Sequence, residues 1–242
     1  MKALFLIVLT LLAGIALLAL FSGAEHLVVA QGPAPGLDLD TPEDTSPCSV
    51  WGFVDVDTTW SPALCDPYRV SGSLLVQTGV TLTIQPGTTL KFDRLKALNV
   101  QGTLIARGTT TSPITFTSNL TIPARGDWGY LYFADSSTDA AFDADGNYTG
   151  GSILQYAVVE YAGGVNVSNN GAVRVESASP LIDHNIIRNN KASGIMVWGN
   201  IAPRITHNLI SGYSVSGGPA EAPTDVPLPV EPPRPPTPTP PV

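Results

Sequence analysis

Four charged side chains in the last third of the chain have the residue types that acid–base catalysis needs. Carboxylates serve as general acids and bases, but they act together only when folding brings them close. The candidates would be brought together from different coils of the fold: Glu160, Arg174, Glu176 and Asp183. Because carboxylates and arginines are also common on a solvated sheet, the sequence favours a structural role for this group over a catalytic one.

Aromatic residues indicate a second candidate site, in this case for binding. Aromatic ring faces stack on the apolar faces of sugars, while their polar edges contact water. Trp128 lies between Asp127 and Gly129 at a predicted bend, where packing is the favoured role, whereas Trp198 precedes Gly199 and is expected to be exposed. The predicted ligand-binding residues are Tyr130, Tyr132, Met196 and Trp198.

Oxygen-bearing side chains alternate in one polar loop, at Asp143, Asp145 and Asn147. This spacing lets a loop wrap around a hard cation such as Ca²⁺. The motif is incomplete, because Tyr148 stands where the calcium loop needs glycine and Leu154 where it needs glutamate. A solvated turn is the favoured interpretation and a Ca²⁺ site the alternative. No other cofactor is indicated.

Two histidines, His184 and His207, occupy equivalent positions 23 residues apart. On adjacent strands their rings would lie about 4.8 Å from each other and could share a metal ion. Such a site needs further ligands, and the neighbouring Asp183 is expected to point to the opposite face of its strand. We therefore predict an exposed histidine stack rather than a metal site.

The histidines belong to a longer repeat. Residues 179–187 are echoed by residues 202–210, and Gly171, Gly194 and Gly217 keep the same spacing of 23 residues. A period of this length predicts a solenoid, in which each repeat buries its apolar face against its neighbours.

Alternating apolar and polar residues predict short strands with one buried face at several upstream positions. No sustained helical periodicity is present outside the N-terminal segment. The clearest examples are residues 80–84, 90–92, 98–100 and 114–116.

The last two repeats contain a predicted slip of one residue. A strict 23-residue alignment places Arg174 beside Val197, which buries a charge or exposes a valine. Pairing Val173 with Ile195 avoids this, since a one-residue shift reverses the direction of every side chain in a strand. The side chains that the shifted alignment directs outward are Arg174, Glu176, Met196 and Trp198.

The two ends of the chain differ from the middle in composition. Residues 1–24 have the basic start, apolar run and small-residue end of a signal peptide, with a second cleavage position after Ala30 and an uncleaved anchor as the alternative. Residues 25–47 are predicted to form a flexible spacer. Residues 219–242 contain 11 prolines and are predicted to form a linker or stalk.

Cys48 and Cys65 are the only cysteines, and an even count in an exported chain favours a disulfide over a metal site. We expect residues 48–69 to form a disulfide-tied N-terminal cap. Its core would be an aromatic plug formed by Trp51, Phe53 and Trp60.

The glycine, Ser-Pro and Asn-x-Ile elements of residues 171–187 resemble the right-handed parallel β-helix repeat of the pectin-lyase-like superfamily. The resemblance covers residues 70–216. It implies an all-β, right-handed parallel β-helix of about five to six coils within residues 70–218, in which Asn185 and Asn208 form a structural ladder. Similar motifs occur at residues 79–87, 102–108, 113–117 and 126–129.

The net charge of −8 disfavours nucleic acid as a partner. We expect an exported, non-catalytic extracellular or cell-surface module that binds a polysaccharide or a cell-envelope component, with membrane contact only if the N-terminal segment stays uncleaved. The first alternative is a polysaccharide lyase or glycoside hydrolase, as the resemblance implies, although the catalytic sets of those enzymes are not recognisable here. The second is an N-terminal fragment of a larger surface protein.

Overall fold

Alternation of apolar and polar residues builds the strands. In β4 (Thr81–Ile84) and β5 (Thr89–Phe92) every second side chain is buried and the others are partly exposed, as expected for strands with one face on a core. The computed structural model describes residues 48–212, which contain 19 strands and no helix. This part of the chain thus holds no helix of the length and apolarity that crossing a membrane requires.

The strands form three faces of a parallel β-solenoid. Face 1 contains β5, β8 (Ile114–Ser118), β13 (Ala157–Glu160), β16 (Ile186–Arg188) and β19 (Leu209–Ser211). Face 2 contains β6 (Leu98–Val100), β9 (Leu131–Phe133), β14 (Gly171–Glu176) and β17 (Ser193–Trp198). Face 3 contains β2 (Thr58–Trp60), β4, β7 (Thr103–Arg107), β12 (Ile153–Gln155), β15 (Leu181–Asp183) and β18 (Arg204–Thr206).

Two longer strands join faces 1 and 2. β1 (Ser49–Val54) and β3 (Tyr68–Val76) run from one face into the other, so the two faces form a single 11-stranded sheet. The chain visits the three faces in order, and the structure has about seven turns. The sequence predicted five to six coils because that count began at residue 70, whereas β1 and β2 add an earlier turn.

The N-terminal segment 48–69 therefore contains strands that continue the solenoid. β1 pairs in parallel with β3, and β2 pairs in parallel with β4. The predicted disulfide between Cys48 and Cys65 is present.

The three aromatic residues of the predicted plug differ in burial. Trp60 is 7% exposed and stacks on Tyr68, with ring centroids 5.1 Å apart. Trp51 and Phe53 are only partly buried. They lie on β1, whose pairing with β3 is interrupted by a register shift beside Gly52.

The interior of the solenoid is filled with aliphatic and aromatic side chains. Trp128 is completely buried, and its ring stacks on Phe92 with centroids 4.1 Å apart. Its Nε1 donates to the carbonyl oxygen of Glu160 at 2.7 Å. Trp128 is thus a packing residue, as predicted, and burial of such a ring stabilises the fold by about 3 kcal/mol.

Asparagines line the corner between faces 3 and 1. Asn208 Oδ1 accepts hydrogen bonds from the backbone N and Nδ2 of Asn185, both at 2.9 Å. Asn185 Oδ1 in turn accepts from the N–H of Ala157 at 2.8 Å. This is the geometry of an asparagine ladder, which satisfies backbone groups where the chain turns.

The polar stretch between β9 and β12 leaves the solenoid and forms a short antiparallel pair, β10 (Ala141–Phe142) and β11 (Tyr148–Gly150). We call this stretch the excursion. Arg204 of face 3 anchors it. The guanidinium lies 3.6 Å from the ring centroid of Phe142 and donates to the Gly146 carbonyl at 2.8 Å.

Of the sequence predictions, those for residues 1–24, 25–47 and 219–242 lie outside the described residues.

Candidate functional site

An outward row of side chains crosses face 2. In the parallel pairing of β9, β14 and β17, Tyr132 is the partner of Arg174, and Arg174 is the partner of Met196. The intervening Val173 and Val175 are completely buried. Because side chains alternate along a strand, these pairings direct the polar row away from the core.

The predicted one-residue slip is present in this row. Val173 pairs with Ile195 and Val175 pairs with Val197. Glu176 is consequently the register partner of Trp198.

Arg174 occupies the centre of an aromatic cluster. Its guanidinium carbon lies 4.4 Å from the ring centroid of Tyr130, 4.9 Å from that of Tyr132 and 5.1 Å from that of Trp198. A cation held over aromatic faces in this way contributes about 2 kcal/mol when it is desolvated.

The Arg174 side chain is also covered by the loop that precedes β14. Nε donates to the carbonyl of Asn169 and Nη2 to that of Ser168, both at 3.1 Å. Only 8% of the residue is exposed. The expectation that Arg174 presents its side chain openly to a ligand is therefore wrong, because the loop and the rings enclose it.

Glu176 links two of the rings through hydrogen bonds. Its Oε2 accepts a hydrogen bond from the Tyr132 hydroxyl, and its Oε1 accepts from Trp198 Nε1 at 3.2 Å. The rings of Tyr132 and Trp198 are parallel within 1°, with centroids 6.1 Å apart. Burial and the Glu176 carboxylate together raise the pKa of Tyr132 to about 12.

We call this group the arginine–aromatic cluster. Its rings and its carboxylate are partly exposed, and its arginine is buried. Its members are Tyr130, Tyr132, Arg174, Glu176 and Trp198.

The four candidate catalytic residues do not come together. Arg174 and Glu176 share β14 on face 2, but Glu160 lies on face 1 and Asp183 on face 3. Glu160 is engaged there by Arg188, whose Nε lies 2.9 Å from Oε2. The solenoid separates Glu160 and Asp183 from the pair on β14 because the three strands lie on three different sides of its cross-section.

A second polar group surrounds Asp183 where β15 ends. Asp183 Oδ1 accepts from Thr206 Oγ1 at 2.7 Å and lies 3.0 Å from His207 Nδ1. Its Oδ2 accepts from Gln155 Nε2 at 2.8 Å and lies 2.7 Å from His184 Nδ1. We call these five residues the histidine corner.

The electrostatics of the histidine corner favour an ionised Asp183. Burial of the carboxyl raises its pKa, but the hydrogen bonds from His184, His207, Thr206 and Gln155 outweigh burial and lower the pKa to about 2. The carboxylate is therefore charged at neutral pH while it is only 8% exposed.

The histidines stack as predicted, but the expected direction of Asp183 relative to His184 is wrong. The ring centroids of His184 and His207 are 4.5 Å apart. Both residues have positive φ, 54° and 52°, so each stands on a corner and not within a strand. The side-chain alternation of a strand no longer holds there, and the His184 ring folds back toward Asp183.

The sequence reasoning missed Gln155 and Thr206 as partners of Asp183. Gln155 and Thr206 pair in register with Asp183 on the two neighbouring strands. The repeat offset of 23 residues indicated this position for Thr206 but not for Gln155. Asn190, which accepts from the N–H of Ala162 at 2.7 Å at another corner, was also missed.

The candidate calcium residues form a closed turn. Asp143 Oδ1 accepts from the backbone N–H groups of Asp145 and Asn147 at 3.0 and 2.7 Å, and Oδ2 accepts from Asn147 Nδ2 at 3.0 Å. The bonds from Asn147 lower the pKa of Asp143. These contacts are those of an Asp-initiated turn, which is the interpretation that the sequence favoured.

Comparison with known proteins identifies the domain. A family model described as a pectate-lyase-like β-helix domain matches residues 52–186, which is more than half of the 242-residue chain. The match begins in β1 and ends in β16, and it includes most of the arginine–aromatic cluster. No curated protein and no solved structure matches the sequence. The chain belongs to the family of pectate-lyase-like β-helix domains.

Proposed function

We propose that the protein is an exported, non-catalytic β-helix module that binds polysaccharide on face 2. The observation that carries the proposal is the arginine–aromatic cluster, in which three partly exposed rings are held in fixed positions on the outside of a rigid solenoid. Rings that are ordered before binding lose little entropy when a sugar stacks on them.

The charged residues of the cluster support this role as positioning groups. Arg174 packs against all three rings and is bonded to two backbone carbonyls. Both oxygens of Glu176 accept hydrogen bonds from ring donors. These contacts orient Tyr132 and Trp198, whose remaining exposed surface is available to a sugar ring.

The placement of the other carboxylates supports a binding role over a catalytic one. Glycoside hydrolysis in most families uses two carboxyl groups flanking one bond. Glu160 and Asp183 lie on faces 1 and 3, away from Glu176 on face 2. A lyase or hydrolase centred on Arg174 and Glu176 is the competing function, and the experiment below separates the two.

Both the disulfide and the family are consistent with export. Disulfides persist mainly in oxidising compartments, and the bond between Cys48 and Cys65 is consistent with an extracellular location. We place the protein in the secreted or cell-surface fraction, with a polysaccharide or another cell-envelope component as its partner. The net charge of −8 makes nucleic acid a poor partner.

Binding is tested by titrating the full chain with a panel of neutral and acidic polysaccharides and following the heat of binding. We expect at least one polysaccharide to bind and Trp198→Ala to weaken its binding by at least about tenfold, or 1.4 kcal/mol. Tyr148→Ala, which removes a partly buried ring from the β10–β11 excursion, is the matched control and should bind normally.

The same mixtures decide between binding and catalysis. We expect the polysaccharide to be recovered at its original length, without unsaturated ends or new reducing ends. Unsaturated ends would establish a lyase, and new reducing ends alone would establish a hydrolase. Equal loss of affinity in Trp198→Ala and Tyr148→Ala would show that face 2 is not the binding surface.

A further inference from the structure

We propose that Asp183, His184 and His207 bind one divalent transition-metal ion at the corner between faces 3 and 1. Imidazole nitrogen and carboxylate oxygen are ligands that zinc uses throughout proteins. One ligand atom from each residue lies within 4.8 Å of those of the other two. The proposal is independent of the sugar-binding surface on face 2.

The repeat brings the two histidines to one place. His184 and His207 occupy the same corner position in successive turns, with φ of 54° and 52°. Their rings stack with centroids 4.5 Å apart. Each Nδ1 faces a different oxygen of Asp183, at 2.7 Å for His184 and 3.0 Å for His207.

Movement of the two exposed histidine rings admits an ion. Zinc bonds of about 2.0 to 2.1 Å place neighbouring ligand atoms of a tetrahedral site about 3.3 Å apart. The present nitrogen–oxygen distances of 2.7 and 3.0 Å are shorter, and the ring planes are stacked within 24° of each other, so both rings need to move outward and turn to direct Nδ1 at one ion. The side chains are 40% exposed in His184 and 67% in His207, which leaves them room to do so.

Asp183 is held in place by bonds that metal binding does not disturb. Thr206 donates to Oδ1 and Gln155 donates to Oδ2. Gln155 is itself fixed by Arg107, whose Nε donates to its Oε1 at 2.8 Å. The other lone pair of each oxygen now accepts from a histidine, and it becomes free for the ion when that ring turns its Nδ1 to the metal. Outer partners such as Thr206 and Gln155 orient metal ligands.

The ligand set selects the type of metal. Two imidazoles with one carboxylate suit zinc, copper and nickel, whereas calcium and magnesium prefer oxygen ligands alone. Without metal each Nδ1 bonds to Asp183, so binding of an ion through Nδ1 replaces these two hydrogen bonds and leaves the proton of each neutral ring on Nε2. Three protein ligands leave a fourth position for water or another small ligand.

The test is calorimetric titration of the full, untagged chain with zinc chloride in metal-free buffer. We expect one zinc ion per chain, with calcium chloride giving no competition. His184→Ala and His207→Ala should each weaken zinc binding by at least about tenfold, and Thr206→Val by about tenfold through the loss of its bond to Asp183.

Matched controls come from the same chain. His26→Ala removes the remaining histidine of the three in the sequence, and Asp143→Ala removes an exposed carboxylate on the excursion; both should bind zinc as the unmodified chain does. Thermal melting without zinc establishes that each variant is folded. The proposal is overturned if zinc gives no heat at millimolar concentration, or if folded His207→Ala binds as tightly as the unmodified chain.

Discussion

The arginine–aromatic cluster on face 2 and the histidine corner beside face 3 each surround one buried charge with rings, yet they expose different atoms. In the cluster the cation of Arg174 is enclosed, and the exposed groups are ring surfaces. In the corner the anion of Asp183 is enclosed, and the exposed groups are the imidazoles of His184 and His207. One solenoid thus presents ring surfaces on one side and imidazole nitrogens on another, because each face carries its own row of outward side chains.

The largest effect that this comparison predicts is on stability. Arg174→Ala removes a buried cation from three rings and two carbonyls, and we expect it to lower the free energy of unfolding by about 3 kcal/mol. Arg188→Ala is the control, because its half-exposed ion pair with Glu160 is worth about 1 kcal/mol or less. Denaturant unfolding measures the free energy of unfolding of both variants. Equal decreases would show that enclosure of Arg174 by the rings contributes no additional stability.

A slightly smaller loss of stability is expected when the asparagine ladder beside the histidine corner is interrupted. Asn185→Ala leaves the N–H of Ala157 and the carbonyl of Leu154 without their side-chain partner, at a cost of about 2 kcal/mol. Its melting temperature should fall while polysaccharide binding on face 2 is retained. An unchanged melting temperature would contradict the ladder's structural role.

Alkaline pH should weaken the arginine–aromatic cluster selectively. Tyrosine in an unfolded chain titrates near pH 10, but the folded pKa of Tyr132 is raised to about 12. The stability that this preference for the neutral phenol supplies is complete below about pH 10 and is lost as the pH rises toward 12. Unfolding measured from about pH 9 to pH 11 should therefore show a steeper decline for the unmodified chain than for Tyr132→Phe. Parallel declines would remove Tyr132 as the cause.

The smallest effect on stability belongs to the exposed histidine of the corner. His207→Ala removes a side chain that is 67% exposed and one hydrogen bond to Asp183, and we expect the free energy of unfolding without metal to fall by about 1 kcal/mol or less. With zinc present, the melting temperature of the unmodified chain should rise and that of the variant should not. A rise of the same size in both would place the zinc elsewhere.

The sequence could predict the outward row of face 2 because that row depends on alternation and on the cost of burying a charge. These two rules aligned Val173 with Ile195 and so placed Arg174 beside Met196. They could not reveal that residues 168–169 cover Arg174, because the path of an irregular loop leaves no periodic pattern in the sequence.

The histidine corner shows where the same reasoning fails. His184 has positive φ, a conformation that non-glycine residues seldom adopt and that breaks the alternation expected after Asp183. The additional first turn was missed because the cysteines and aromatic residues of segment 48–69 favoured a cap, so the coil count began at residue 70. Strand rules thus predicted the faces well and the corners poorly.

The most direct test of the account is to map the polysaccharide footprint on the protein. The full chain is oxidised by hydroxyl radicals with and without the polysaccharide that binds best, and modification of each side chain is read by mass spectrometry. We predict protection of Tyr130, Tyr132, Met196 and Trp198, with no change at Tyr148 or at Tyr156 beside the histidine corner. Protection confined to faces 1 or 3, or an unchanged face 2, would contradict the proposed function.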